Sequence, residues 1–567
     1  MLTLGRFRLI GFGERFLSCR LYSSSALGTV EDFTVKNEPT LEYQPGSKER
    51  EQLQAALSKW SKTTTEIPVI IGDKEYKDGD FIYQLMPHNR HQKLAKVYQA
   101  DKKLLDNAID TALQAQKKWA QVPWQEKIKI FQRAAEMIAT KYRFDINAVT
   151  MLGQSKTVVQ AEIDSACELA DFFNFNTYYL KEMLKYQPIS VDPKVTLNSV
   201  RFRGLEGFVA AISPFNFTAI GGNLAYAPAL MGCVVLWKPS DTAALSNYLI
   251  FKIMQEAGLP PGVVNFVPAV GPTFGDAITS HPNLAAINFT GSARTFEVLW
   301  KLVGNNVSRY KSYPRLIGEC GGKNFHFIHP SADVESASLQ TIRSAFEYQG
   351  QKCSACSRLY VPASLWPKIK SRLLEVRDQI KVGDPADFKS FMGAVIDENA
   401  FKRIKSYIDL AKKESSTTII AGGDYSDEIG YFIQPTIIES TAPNTKQMTE
   451  EIFGPVLTVY VYKDNDLWST LEKVNTTTPY ALTGAVFASD REFIAKAHDY
   501  LIHGAGNFYI NDKSTGAVVA QQPFGGARKS GTNDKAGGPH YLLRFTSIQA
   551  VKETFVPLKD WQYPYMK

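Results

Sequence analysis

The residue types that could carry chemistry gather around one turn, Gly350-Gln351-Lys352-Cys353-Ser354-Ala355-Cys356. It follows a run from Asp333 to Tyr348 whose apolar residues recur at three- and four-residue spacing, which predicts a helix. It precedes an apolar strand, Leu359-Tyr360-Val361. Gly350 lets the backbone turn sharply between the two. A thiol delivered at an element end beside a cation, here Lys352, is placed for ionisation and attack on an electrophile. Two other uses compete with a nucleophile. One is a buried structural thiol, the commonest fate of a free cysteine. The other is the Cys-x-x-Cys motif itself, which elsewhere serves thiol–disulfide exchange or half of a zinc site. Zinc needs two more ligands, and the nearby pair His326 and His329 stands three residues apart in a strand run, on opposite faces.

The remaining candidates stand where predicted strands end. Short apolar runs recur at 207–212, 233–237, 263–267 and 285–289, with helical patterns near 218–230, 241–257 and 272–280 between them. Strand–helix alternation at this spacing predicts βαβ units and a parallel sheet. Ligands bind at the carboxyl ends of such strands. Those ends are Ser213-Pro214-Phe215-Asn216, Lys238-Pro239-Ser240 and Thr290-Gly291-Ser292. No Gly-x-Gly-x-x-Gly follows the first strand, and Gly322-Lys323 is followed by Asn324, so neither the usual dinucleotide fingerprint nor a Walker A loop is present. Spacing alone leaves a nucleotide-binding sheet and a plain α/β core equally open.

The second half repeats the pattern. Strand-like runs at 324–328, 359–361, 418–421, 436–438, 456–462, 482–487 and 506–510 alternate with helical runs near 333–349, 364–380, 397–413, 465–475 and 490–502. A second α/β domain is expected there. Helical periodicity also covers 102–141 and 145–185, and the alternation from Val195 to Phe202 predicts a solvent-facing strand. The tail from Asp512 is rich in Gly, Ser and Gln and ends in strand-like Tyr541–Thr546.

Composition narrows the class. The chain has 567 residues, 44% of them hydrophobic, enough for more than one packing unit. The net charge is +7, and Arg6, Arg8, Arg15 and Arg20 against Glu14 supply +3 of it within the first thirty residues. No Lys/Arg block points to nucleic acid, and no apolar stretch reaches membrane-spanning length. Six cysteines, mostly inside apolar runs, do not form a secreted disulfide framework, so a reducing compartment is expected. The Arg- and Ser-rich, acid-poor segment from Met1 to Ser25 reads as a mitochondrial presequence, about residues 1–24, and residues 25–60 read as a polar arm.

Taken together, the motifs resemble those of the aldehyde dehydrogenases. They are Ser213-Pro214-Phe215-Asn216-Phe217, Lys238-Pro239-Ser240, Phe289-Thr290-Gly291-Ser292, Glu319-Cys320-Gly321-Gly322-Lys323, Gly350-Gln351-Lys352-Cys353 and Glu450-Glu451-Ile452-Phe453-Gly454-Pro455. The resemblance runs from about residue 60 to 555. The stretches 344–358, 521–528 and 537–541 are more similar still to the branch that oxidises glutamate γ-semialdehyde to glutamate in the mitochondrial matrix.

The resemblance implies an α/β fold with three parts: a Rossmann-like NAD-binding domain (61–185 and 206–318), a catalytic α/β domain (319–511), and a small β bridging or oligomerisation element (186–205 and 512–567). It also implies a homodimer or higher homo-oligomer, a small-molecule substrate, no resident metal, and neither nucleic acid nor membrane as partner.

An aldehyde has no leaving group, so its oxidation by hydride transfer first needs a tetrahedral adduct. By resemblance, Cys353 attacks the carbonyl, Asn216 and the Cys353 amide stabilise the oxyanion, and Glu319 activates water against the resulting thioester. For NAD, the resemblance implies Lys238 and Ser240 at the adenosine ribose, Ser213 near the nicotinamide half, Gly291 and Ser292 under the pyrophosphate, and Glu451 with Phe453 at the nicotinamide ribose and ring. NAD is expected over NADP although Ser240 carries no charge against a 2′-phosphate. Phe296 stands where common members have a second glycine. Substrate choice is assigned to Phe217, Ser354, Phe524 and the loop containing Gly516 and Ala517, whose small residues leave N–H groups open to an α-carboxylate. Relatives often carry serine at 517. Glu168 is expected to be a solvated helix carboxylate rather than a contact for the substrate amine.

Overall fold

The computed structural model describes residues 34–567, so the predicted presequence lies outside the described residues. Two seven-stranded sheets organise the chain. The first takes β1 (Val69–Ile71), β2 (Lys74–Tyr76), β3 (Phe208–Ile212), β4 (Val234–Lys238), β5 (Val264–Phe266), β6 (Leu284–Thr290) and β7 (Arg315–Glu319). Their spatial order is β7-β6-β3-β4-β5-β1-β2. The five later strands run parallel and β1 and β2 add antiparallel at one edge. The four short apolar runs read from sequence are β3 to β6, buried on both faces as a helix-covered parallel sheet requires, while β1, β2 and β7 are not among those runs and β2 is largely exposed.

The second sheet takes β8 (Asn324–Ile328), β9 (Cys356–Pro362), β10 (Thr417–Ala421), β11 (Thr436–Ser440), β12 (Val456–Tyr462), β13 (Thr483–Phe487) and β14 (Asn507–Ile510), in the order β10-β11-β12-β9-β8-β13-β14. Only β10 runs antiparallel to its neighbour. In the first sheet β3 lies between β4 and β6, so the chain leaves β3 toward one edge and returns on the other side. The crevice at that switch opens outside the carboxyl ends of β3 and β6, next to Ser213 and Gly291. The tail of β7 runs directly through Gly321-Gly322 into β8, which sets the carboxyl edge of the first sheet against the amino edge of β9.

Four helices matter for the site: α1 (Leu169–Leu184), α2 (Thr218–Leu230), α3 (Ala293–Asn305) and α4 (Val334–Phe346). A π-helical turn, Glu162–Glu168, leads into α1. Residues 34–47 are irregular, but the rest of the segment expected to be a polar arm is the helix Lys48–Ser61, capped by the Ser47 side chain. Tyr541–Phe545 is a 3₁₀ turn, not a strand, because its aromatic residues turn inward against Asn288 and the first core. The strand starts at Thr546 and pairs antiparallel with Thr196–Gly204 as a two-stranded ribbon.

Phe296, which stands where the resemblance implies a glycine, is accommodated by the neighbouring strand. Its ring stacks on Phe289, with centroids 5.4 Å apart and planes at 14°. Its other side lies over Gly318, where an added Cβ would fall 2.3 Å from the ring. Gly318→Ala is therefore expected to cost about 1–3 kcal/mol, as overpacking does, because Phe289 blocks the ring's retreat. The measurement is chemical denaturation of Gly318→Ala beside Gly318→Ala/Phe296→Leu. The double variant should recover most of the loss, and a single variant as stable as wild type would refute the packing argument.

Candidate active site

Helix α4 stops at Phe346, short of the predicted Tyr348, because Glu347 turns extended (φ −51°, ψ 133°). Tyr348, Gln349 and Gly350 then take left-handed φ of 51°, 57° and 64° in succession. Such backbone persists only where surroundings over-determine it. Here the Gln349 amide donates to Ser155 O (3.0 Å) and Ala394 O (2.7 Å), and Gln351 Oε1 accepts from Ile396 N–H (2.9 Å). Gly350 is required twice, by its φ and because a Cβ would fall 2.2 Å from Gly454 O.

The turn delivers Cys353. Its carbonyl accepts from the Asn324 side chain at 2.6 Å. The next carbonyl, that of Ser354, accepts from Thr483 Oγ1 (3.2 Å) and Ser514 Oγ (3.0 Å). The expectation that Lys352 stabilises the thiolate does not hold. Its ammonium is committed to the buried Glu347 carboxylate at 3.1 Å. Burial pushes the Cys353 thiol up to about 12, and the Glu319 and Glu451 carboxylates push the same way, against the Ser354 and Cys353 amides. Cys356 differs: it heads β9, is fully buried, and donates to Arg358 O at 3.5 Å. All five cysteines among the described residues are unpaired. No group of three or more His, Cys, Asp or Glu among them could hold a metal. His326 instead spends its ring on Thr341 and the Ser514 amide.

Asn216 follows β3 and lies buried with its side-chain amide donating to Gln351 O at 3.0 Å, two residues before the cysteine. Glu319 ends β7, with Gly291 N–H on its backbone oxygen at 3.1 Å. Both its carboxylate oxygens are buried without a well-formed hydrogen bond. Burial holds this carboxyl far above its ordinary range, and Asp534 adds to the effect. Lys535 and the Gly526 amide pull the other way. Gly525 passes so close that an added Cβ would sit 3.0 Å from Glu319 Oε1. Neither Asp534 nor Lys535 was singled out in the sequence, since nothing marks a loop 215 residues downstream as facing a strand end.

Of the residues expected to hold a dinucleotide, Ser213, Lys238, Ser240, Gly291 and Ser292 stand at or just past strand ends of the first sheet, and Glu451 and Phe453 precede β12. Ser213 Oγ accepts from Trp237 Nε1 at 2.7 Å. Lys238 Nζ reaches Pro239 O at 3.3 Å, and burial lowers its pKa while Asp241 opposes. Ser240 pairs with Thr242 at 3.3 Å. Gly291 and Ser292 open α3, and Ser292 Oγ accepts from Thr295 N–H at 3.1 Å. Glu451 Oε1 accepts from Gly322 N–H at 2.9 Å, over a Gly321 whose Cβ would overlap it. Phe453 has φ 54° and meets Phe215 edge-on at 5.8 Å. A buried cation hydrogen-bonded to a carbonyl, an exposed helix N-terminus and a buried carboxylate near Cys353 fit a dinucleotide with a pyrophosphate and ribose hydroxyls.

The expected substrate contacts come from several separate segments. The Phe217 ring packs under the Lys156 ammonium at 3.9 Å. Phe524 is half-buried and its N–H donates to Ala536 O at 2.9 Å. Ser514 ties the loop to Ser354, and beyond it Gly516 (φ 83°) and Ala517 stand partly open. The structure adds an ion pair absent from the sequence argument. Lys156 and Asp164, both fully buried, meet at 2.7 Å, and Asp164 also accepts from Thr218 and Ala219 N–H at the start of α2. Glu168 stands near this pair and is half-buried rather than solvated, its carboxyl raised well above its usual range by burial and by Asp164.

The family model described as aldehyde dehydrogenase family matches residues 76–551. The chain belongs to the aldehyde dehydrogenase family. It is 58% identical over 534 residues to mitochondrial delta-1-pyrroline-5-carboxylate dehydrogenase of Mus musculus, covering 94% of this chain and 95% of that one. Identity to the Dictyostelium discoideum mitochondrial enzyme of the same name is 50% over 535 residues, or 94% and 96% of the two chains. Among solved structures, the delta-pyrroline-5-carboxylate dehydrogenase of Mycobacterium tuberculosis bound with NAD superposes with a TM-score of 0.91 at 45% identity, covering 95% of this chain and 100% of that one. The two-sheet architecture is thus the aldehyde dehydrogenase fold.

The buried Glu319 carboxyl has a consequence for stability. A carboxyl whose pKa is raised on folding binds more protons folded than unfolded, so stability falls as pH climbs above its ordinary value near 4.5. Glu319→Gln is expected to unfold at a higher temperature than wild type at pH 8, with the gap closing toward pH 4.5. Thermal unfolding across that range checks it; a variant less stable than wild type at pH 8 would contradict it.

Proposed function

We propose that this aldehyde dehydrogenase oxidises L-glutamate γ-semialdehyde, the open form of Δ1-pyrroline-5-carboxylate, to L-glutamate with NAD in the mitochondrial matrix. The observation that carries the reading is the convergence of Asn216, Glu319 and Cys353 from three separate elements, with Asn216 bonded directly to the nucleophile's turn. The relatives at 58% and 50% identity are mitochondrial delta-1-pyrroline-5-carboxylate dehydrogenases, which supports both the substrate and the compartment.

Cys353 Sγ, on losing its proton, adds to the aldehyde carbon and forms a thiohemiacetal. The Asn216 side chain and the Cys353 amide donate to the oxygen that gains the negative charge; one such donor is worth about 2.7–4 kcal/mol. NAD, when bound, supplies the hydride acceptor. Lys238 and Ser240 would hold its adenosine ribose, Ser213 its nicotinamide half, Gly291 and Ser292 its pyrophosphate, and Glu451 and Phe453 its nicotinamide ribose and ring. Loss of hydride from the adduct leaves a thioester on Cys353. Glu319 then takes a proton from water, the hydroxide adds to the thioester carbon, and the C–S bond breaks to release the carboxylate and regenerate the thiolate. Burial raises the Glu319 carboxyl above its ordinary range, so its carboxylate form is a stronger base than a solvated one. Phe217, Phe524 and Ser354 shape the substrate pocket, and the N–H groups of Gly516 and Ala517 receive the α-carboxylate.

The proposal extends to domain organisation and assembly. An NAD-binding domain takes 61–185 and 206–318, a catalytic domain 319–511, and a bridging element 186–205 with 512–567. A homodimer or higher homo-oligomer is supported by the apolar side chains the ribbon and its flanks expose, among them Ile189, Val191, Ile548 and Val551.

In an NAD⁺-reduction assay, Cys353→Ala should lose all oxidation while Cys356→Ala keeps most of it, and Glu319→Gln should give a burst of NADH followed by slow turnover. Equal loss in both cysteine variants would favour a paired-thiol mechanism, and a missing burst would remove Glu319 from deacylation.

Ala517→Leu should raise KM for glutamate semialdehyde by crowding the open N–H groups, while a short uncharged aldehyde such as propanal is little affected. An unchanged ratio of kcat/KM for the two aldehydes would show that this loop does not read the carboxylate.

A further inference from the structure

The loop from Asp512 to Gln522 has no regular secondary structure, yet the proposed carboxylate contacts at Gly516 and Ala517 require it to hold still. Its leading end is pinned at Ser514, whose N–H donates to His326 Nε2 (3.2 Å) and whose hydroxyl donates to Ser354 O (3.0 Å). Its trailing end is a tight bend. Gln521 and Gln522 N–H both donate to Val518 O at 3.0 Å, Val518 N–H returns to Gln522 Oε1 at 3.0 Å, and Ala520 is forced to φ 68°. Gly516 and Ala517 are suspended between these two anchors.

The trailing anchor is tied down from the other end of the chain. Asn37, in the irregular segment before the helix Lys48–Ser61, donates from Nδ2 to Val519 O at 3.0 Å. It also accepts from Gln521 Nε2 at 2.9 Å. The same amide nitrogen donates to Asp171 Oδ2 on α1 at 2.8 Å, and the next residue's N–H, that of Glu38, donates to Asp171 Oδ1 at 2.7 Å. Behind Asn37 the segment is bolted to the core. Arg143 holds the Glu38 carboxylate (2.5 Å) and Pro39 O (2.6 Å), and fully buried Glu162 takes Leu41 N–H (2.8 Å) and the Tyr43 hydroxyl (2.6 Å). A single exposed hydrogen bond would mean little, but Asn37 uses both ends of its amide and joins three segments far apart in sequence.

We propose that residues 37–43 are a strap that holds the 514–522 loop in its carboxylate-receiving shape, with Asn37 as the positioning residue. The strap never touches substrate; it acts by fixing Val519 and Gln521, two to four residues beyond Ala517. It therefore governs how strongly a carboxylate-bearing aldehyde binds, and leaves the thiol chemistry alone. The inference rests on the reading that this loop receives the substrate's α-carboxylate.

The test is Asn37→Ala in the otherwise unaltered chain, with Gln521→Ala as a second variant that removes the loop-side donor and leaves the arm's contacts to Asp171 intact. KM for glutamate semialdehyde should rise about fivefold in Asn37→Ala, close to the loss of one neutral hydrogen bond, with kcat within about twofold. Gln521→Ala should shift KM in the same direction by less, and both constants for propanal should stay put in each variant. Hydrogen exchange should quicken across 514–522 in both. The inference is overturned if the two aldehydes lose kcat/KM equally, or if exchange in the loop is unchanged. Ala517→Leu, measured alongside, separates the two ideas. If it alters the aldehyde ratio and Asn37→Ala does not, the strap fails and the loop reading stands. If it leaves the ratio unchanged while Asn37→Ala quickens exchange, the carboxylate reading fails and the strap's hold on the loop survives.

Discussion

Three consecutive left-handed residues, Tyr348, Gln349 and Gly350, are the constraint on which the candidate active site depends. Two of them carry a Cβ, and each such residue costs of order 1 kcal/mol or more in isolation. The cost is offset by the Gln349 and Gln351 side chains, which bond to backbone at 155 and at 394–396 and so clamp the turn between two parts of the molecule. The result is a cysteine that no longer belongs to a helix or a strand. It can meet Asn216 from one sheet and Glu319 from that sheet's last strand.

Burial does most of the electrostatic work around it. Cys353, Glu319 and Glu451 are all raised first by desolvation; the two carboxylates add to the shift at Cys353 and Asp534 adds at Glu319, whereas Arg403 and Lys323 oppose it at Glu451. An arrangement of two acids around a thiol favours the neutral form of each. A bound dinucleotide with a cationic ring would change that balance in favour of the thiolate. The buried Lys156–Asp164 pair is different in kind: Asp164 caps α2 just past Asn216, so its charge is satisfied by backbone as well as by lysine. It orders the backbone that carries Asn216 and Phe217.

Strain and close approach also explain the glycines of the site. Gly321, Gly350 and Gly525 each lie where a Cβ would press on Glu451, on Gly454 or on Glu319. Phe296 shows the converse, a large ring made possible by a glycine one strand away. This chain's departure from glycine at 296 is thus balanced locally, and α3 keeps its capped N-terminus under the crevice.

Much of this protein was legible in the chain itself. Apolar runs of strand length marked β3 to β6 and all of the second sheet, because parallel strands are buried on both faces, whereas β1, β2 and β7 were not marked; strand ends drew attention to Asn216, Lys238 and Gly291 because ligands bind outside them. Helix ends were less legible: α4 stops before Glu347, where tertiary bonds to the following turn override a local pattern that continues to Tyr348. Tyr541–Phe545 reads as a strand by composition but is turned inward by the core. Charge neighbourhoods could not be read at all. Lys352 sits beside Cys353 in sequence and pairs with Glu347 in space, Glu168 has a solvated residue's identity and a half-buried setting, and Lys535 faces Glu319 across 216 positions. Sequence determines which residues are present and the period of local structure. Which charges share a dry crevice, and that Asn37 reaches Val519, depends on long-range packing that no local pattern encodes.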